Sequence, residues 1–116
     1  MESIGNLHKS LKATLDEKKN NRRVLLLYGR DDAQHYIIDQ QEQLHAADAQ
    51  LSQHDLDVVV LIASTTVEPD RWYLMHTEGF NLIPSEDFIG WLIDKDGSVK
   101  HRFTQPLSPD ELTKHI

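Results

Sequence analysis

The 116-residue chain contains no cysteine. Because the thiolate is the nucleophile of disulfide exchange and of thiol-based peroxide reduction, that absence excludes both reactions and any disulfide staple. It leaves the redox compartment open, since a domain of this size buries roughly 65% of its unfolded surface and folds without a staple. Long apolar runs are also missing. Met1 to Leu15 alternates apolar with charged positions and reads as neither a signal peptide nor a membrane anchor. Basic residues are scarce, with 12 Lys and Arg against 19 Asp and Glu for a net charge of −7. A general nucleic-acid binder needs a basic footprint for phosphates, so nucleic acid is not an expected partner. The one basic run, Lys18, Lys19, Arg22 and Arg23, is broken by Asn20 and Asn21 and reads as a solvated turn ahead of a strand. There is no glycine-rich phosphate loop and no nucleophile elbow. The seven histidines, at 8, 35, 45, 54, 76, 101 and 115, lack the short paired spacing of zinc ligands. Ser64, Thr65 and Thr66 have no accompanying base and read as a loop. Neither a cofactor nor a metal is expected.

What is present is a run of short apolar strands separated by helical periodicity. Ile4, Leu7, Leu11 and Leu15 fall on one face of a helix over about 4–17, within an amphipathic N-terminal extension of residues 1–20. Val24 to Leu27 leave neither face polar, which marks a strand over 23–28 buried on both sides. Asp31 to Gln53 reads as one long helix with Ile37, Leu44, Ala47 and Leu51 on its buried stripe, opened by Asp31 and Gln34 as a capping box. Residues 56–64 form a second strand rich in β-branched side chains. Pro69 starts a short helix through about His76, which Gly79 ends, and 81–87 is a loop. In the third strand, 88–94, Phe88 and Leu92 face one way while Ile89, Trp91 and Ile93 face the other, and Gly90 gives a helix room to approach. Lys95, Asp96 and Gly97 turn a hairpin. In the returning strand Val99, His101 and Phe103 alternate with Lys100, Arg102 and Thr104, so one face is wet and the strand lies at the sheet edge. Ser108, Pro109 and Glu111 supply the cap, first turn and capping box of a last helix.

The order βαβ, helix, ββα is that of an α/β thioredoxin-like fold, a single domain over 1–116 with a four-stranded mixed sheet, helices on both faces and an N-terminal helix. Arg23 to Tyr28, the Gln-rich helix, and above all the string from Phe88 to Arg102 resemble the family DUF4174. That family is also described as the peroxiredoxin-like domain of certain extracellular sushi-repeat and coiled-coil matrix proteins. The similarity covers about 20–116. This chain has Asp94 and Ser98 where the family favours glycines, which leaves the hairpin intact. The resemblance implies a thioredoxin-like fold, frequent export in bacteria, and no established reaction. A periplasmic or secreted domain is therefore expected if a signal peptide has been removed, and a cytoplasmic one otherwise.

Thioredoxin-like enzymes place their chemistry where the first strand hands over to its helix, because the helix N–H groups and dipole stabilise an anion there. Here that place holds Arg30, Asp31, Asp32 and His35. In the structural reading Asp31 caps the helix, Asp32 complements its dipole, and Arg30 and His35 are solvated. In the functional reading the two carboxylates and the imidazole hold a divalent cation or perform acid/base chemistry while Arg30 clamps an anion. The position that corresponds to the cis-proline of redox relatives falls near Ile89, and Pro84, five residues earlier, stiffens the loop instead. Trp72 and Tyr73 on the short helix form a candidate interaction face. These residues together suggest a non-redox binding or accessory domain for a protein or a small anionic ligand, with acid/base or metal-assisted chemistry at the Arg30 cluster as the alternative. It is expected to be a monomer or a helix-mediated homodimer, with no membrane insertion.

Overall fold

A computed structural model of the chain describes residues 2–3, 11–47, 49, 51, 53–63, 68–77, 79–83 and 85–116. His8, Ser64, Thr65, Thr66 and Pro84 lie outside the described residues, as does the stretch 4–10 of the expected N-terminal helix. The elements are β1 (Glu2–Ser3), α1 (Leu11–Lys18), β2 (Arg23–Gly29), a 3-10 turn (Asp31–Ala33), α2 (His35–Ala46), β3 (Leu56–Ile62), α3 (Glu68–His76), β4 (Phe88–Ile93), β5 (Val99–Phe103) and α4 (Pro109–Lys114). The sheet order is β1-β3-β2-β4-β5. β1 and β2 both run parallel to β3, while β4 is antiparallel to β2 and β5 to β4. The four expected strands thus form the mixed sheet of a thioredoxin-like fold. One correction concerns the start of the chain. Glu2–Ser3 pairs with Val59 and Val60 as a fifth strand, so residues 1–20 are not wholly helical.

The three strands expected to be buried on both faces divide their side chains by parity, as the period of two requires. Val24, Leu26, Tyr28, Val59, Leu61, Ile89, Trp91 and Ile93 pack with Leu11 of α1, Leu74 of α3, Phe80 and Leu82. On the other face Leu25, Leu27, Val60, Phe88, Leu92 and Phe103 pack with Ile37 and Leu44 of α2, Leu51, and Leu112 of α4. Two helices therefore cover each face. Trp91 is fully buried, and its indole Nε1 donates to the Phe80 carbonyl at 2.8 Å, so its polar atom costs nothing in the core.

Several local readings change. The helix expected over 31–53 begins as a 3-10 turn, and α2 proper ends at Ala46, where Ala47 has left helical geometry with φ −121°. Gln40, outside the expected buried stripe of that helix, is fully buried: its side-chain amide donates to Leu107 O at 2.9 Å and accepts from Leu107 N at 2.8 Å. These two hydrogen bonds tie the segment before α4 onto α2. Gly90 makes room for the Phe103 ring of the neighbouring strand, not for a helix; it is Gly29 whose missing side chain admits α2, since a Cβ there would lie 2.5 Å from Ile37 Cδ1. In β5 the simple alternation fails, because a bulge between Leu92 and Ile93 pairs His101 with Leu92 but Val99 with Ile93. Val99 consequently packs on the α1/α3 face while Phe103 packs on the α2/α4 face. Arg102, expected on the wet face, is half-buried. The last helix follows expectation, with Ser108 Oγ accepting from Glu111 N at 3.2 Å and Pro109 in the first turn.

Candidate functional site

β2 ends at Gly29 between Ile62 of β3 and Phe88 of β4, so Arg30 emerges at the centre of the sheet's upper end. The Arg30 backbone N–H donates to Asp87 O at 3.0 Å, which fastens the loop before β4 to the start of the 3-10 turn. The Arg30 guanidinium, 43% exposed, stands between two carboxylates, with Nε 3.5 Å from Asp32 and Nη1 3.7 Å from Asp87. The Gln34 side-chain amide donates to both the carbonyl and the carboxylate of Asp31. That reverses the expected capping box: neither Arg30, which begins the 3-10 turn, nor Gln34, which begins α2, supplies a side-chain cap. The His35 ring packs on Tyr36 with centroids 4.3 Å apart and planes inclined at 34°, and Tyr36 in turn stacks on Phe88 at 5.9 Å.

The structure therefore brings Arg30 and Asp32 together and adds Asp87, which sequence distance concealed. It does not assemble Asp31, Asp32 and His35 into a ligand set. Among the described residues no group of three or more His, Asp or Glu side chains is placed to hold a metal ion. Arg30 is one cation among Asp31, Asp32, Glu86 and Asp87, so its charge is already answered within the protein. Three of those carboxylates are exposed.

The pattern of the family described as "Domain of unknown function (DUF4174)" matches residues 14–116. The chain belongs to this family. The DUF4174 domain is also similar to the crystal structure described as Trgpx in apo form, with a TM-score of 0.53 at 14% identity, covering 85% of this chain and 80% of that one. At that identity the likeness speaks for the fold alone. No curated protein matches the chain.

The second expected surface divides. Trp72 is 64% exposed and lies on His76, with ring centroids 3.9 Å apart, whereas Tyr73 turns inward against Phe80 at 5.6 Å. The two residues are consecutive on α3 and so point about 100° apart, which the one-helix pattern already implied. Two features escaped the sequence. His101 of β5 stacks on His115, beyond α4, with centroids 3.8 Å apart and planes 8° from parallel. Asp70, buried on α3, accepts the backbone N–H of Leu11 at 3.1 Å and so caps α1 across 59 positions. Neither pair has a local spacing signal.

Among the described residues no helix is long and apolar enough to cross a membrane.

Proposed function

We propose that this DUF4174 domain is a non-redox binding or accessory domain, and that its partner at the α2 end is a protein and not a small anion. The supporting observation is the position of Arg30 between Asp32 and Asp87. Where the fold offers a catalytic thiol in redox enzymes, this chain has no cysteine, and Arg30 there is bracketed by carboxylates. A free phosphate arriving at that end meets a negative field and a guanidinium already engaged. A protein surface with its own cations faces no such penalty. Trp72, large and mostly exposed, belongs to the residue types that anchor protein interfaces.

Two measurements test this. Insulin reduction and peroxide consumption with the purified chain are expected to show no turnover above contaminant controls; activity that co-purifies with the protein and survives those controls overturns the non-redox reading. Titration with inorganic phosphate, followed by thermal unfolding, is expected to give no Arg30-dependent rise in Tm. A saturable rise that Arg30→Gln abolishes would restore the small-anion reading.

A further inference from the structure

We propose that the stacked pair His101 and His115 is an acid-operated latch on α4: with both imidazoles neutral it holds the helix against β5, and with both protonated it lets the helix swing away while the sheet stays folded. The device lies on the α2/α4 face and does not depend on the reading given above.

Little else holds α4. Its backbone bonds are internal, from Leu112 N to Ser108 O at 3.0 Å and from His115 N to Leu112 O at 3.1 Å, and so is the Ser108 cap. Among the described residues no hydrogen bond or ion pair joins residues 108–116 to the rest of the chain. The helix is kept in place by fully buried Leu112, by partly buried Ile116 and by the ring stack. Just ahead of it, Leu107 is bonded twice to Gln40 of α2. That anchor puts the hinge between Leu107 and Ser108, with everything beyond it moving as a unit.

Between neutral rings the stack is favourable, with centroids 3.8 Å apart, planes 8° from parallel, and His101 lying 5.9 Å from Phe103 on its other contact. Rings so nearly parallel direct their in-plane nitrogens side by side and not at a common point, so the pair is not a chelating site. Two protons reverse the sign of the contact. At 3.8 Å two unit charges repel enough, even at the dielectric of water, to shift an equilibrium about fivefold. Nearby charge does not offset that repulsion. Three of the four chain neighbours of these rings, Lys100, Arg102 and Lys114, are cations. Across the ladder stands Leu92, and α2 turns its buried Gln40 and Leu44 inward. Asp94, at the end of β4, lies near Arg23 and Lys100. Neither it nor Asp39 and Glu42 of α2, nor Asp110 and Glu111 of α4, comes within ion-pair distance of either imidazole. Burial, and then His115, lower the His101 imidazole, so its proton is resisted while α4 is docked and accepted once α4 leaves. The hold on α4 is therefore complete above the ordinary imidazole value, about 6.5, and is lost as pH falls through the lower value of the docked state. Release uncovers the part of the α2-side core that Leu112 closes at neutral pH.

The test is amide hydrogen exchange of the full chain at pH 7.5 and pH 5, corrected for the intrinsic rate at each pH, comparing the Leu112 N–H of α4 with the Leu26 N–H of the central strand. In wild type the opening constant of Leu112 is expected to rise about fivefold or more on acidification. At pH 5 Leu112 is expected to stay about tenfold or more below Leu26 in protection, the mark of α4 leaving an intact sheet. In His101→Gln the rise is expected to disappear. His115→Glu sets a carboxylate against the imidazolium, so acid there is expected to tighten α4 instead of opening it. A smaller rise in wild type, equal protection of Leu112 and Leu26, or wild-type behaviour in either variant overturns the latch. His115 is exposed, so its replacement leaves the core intact. Should His101→Gln fail to fold, the wild-type rise and the His115→Glu comparison decide the matter.

Discussion

At the lower end of the sheet, charged side chains from three separated stretches interlock. Asp57 accepts from Lys18 Nζ at 2.8 Å and from Arg22 Nη2 at 2.8 Å; Asp55 accepts from Lys95 at 2.9 Å and from Arg22 at 3.3 Å. Arg23 reaches the His54 carbonyl at 2.7 Å and Asp94 at 3.3 Å. At the upper end Arg30 makes two looser contacts, 3.5 and 3.7 Å, with exposed carboxylates. The basic run expected to be a solvated turn is thus the cationic half of a clamp joining α1, β2, β3 and the hairpin. Strands run continuously between the two ends, so the sheet's backbone bonding does not distinguish them. Their charges do: below they fasten elements together, and above they remain near the surface, where redox relatives of the fold keep their reactive group.

Removing the Asp57 carboxylate gives the largest expected effect on this contrast. Asp57→Ala leaves Lys18, only 13% exposed, and Arg22 without their shared acceptor. Charge-assisted hydrogen bonds of this kind predict a loss of roughly 1.5–3 kcal/mol in urea unfolding. The matched change above, Asp32→Ala, is expected within about 0.5 kcal/mol of wild type. Equal losses from the two would erase the distinction between the ends.

Acid should discriminate them next. Burial pushes the Asp57 carboxyl up, but hydrogen bonds from Arg22 and Lys18 and their charges together outweigh it and hold the group below its ordinary value. The hydrogen bond from Lys95, then its charge, lowers Asp55. Carboxyls depressed in the folded state contribute stability that is complete above the unfolded value, about 3.9, and is lost as pH falls through the folded values. Unfolding free energy measured from pH 5 downward should therefore decline in wild type and decline less steeply in Asp55→Asn/Asp57→Asn. Parallel curves for the two proteins would place the acid sensitivity elsewhere.

A weaker pH effect belongs to neither end. Burial, and secondarily the neighbouring His115, lower the His101 imidazole. A histidine depressed by folding gives stability fully present above its unfolded value, about 6.5, and lost as pH falls through the folded value. Between pH 7.5 and 5 the wild-type Tm should fall by more than that of His101→Gln. Equal slopes would show that protonation of the stacked pair leaves the docking of α4 undisturbed.

How much of this was legible in advance follows from the range of each interaction. Strand existence, face assignment in β4, the Gly97 turn and the Ser108 cap are carried by neighbours within four residues, so composition and period reveal them. Arg30 and Asp32 are likewise close in sequence. Asp87 is not, and without it Arg30 looked available to an anion. The β5 bulge shifts only one pairing, yet it moves Val99 to the opposite face, which no alternation pattern within the strand can encode. Gln40, Asp70 and the base of the sheet share a further property. Each is a polar side chain whose partner lies more than 30 positions away. In the sequence such residues are indistinguishable from solvated ones, and only the pairing in the fold identifies them.

The smallest expected effect concerns a cation that the clamp does not reach. Arg102 sits opposite Trp91 in the β4–β5 pairing, and its Nε and Nη2 are buried without a hydrogen-bond partner among the described residues. Desolvating those N–H groups costs free energy that no acceptor returns, while the aliphatic stem still covers apolar surface. Arg102→Met keeps the stem and removes the unsatisfied donors. The expected result is a protein between unchanged and about 1 kcal/mol more stable, read as a higher urea midpoint at constant slope. The sign is what matters for the contrast drawn here. At the base, deleting one charge removes an acceptor that two cations share, so removal destabilises. At Arg102 no partner is stranded, and the same kind of deletion should cost nothing. A clear loss of stability would mean that the guanidinium engages an acceptor in solution, and the edge strand would then belong with the clamped base.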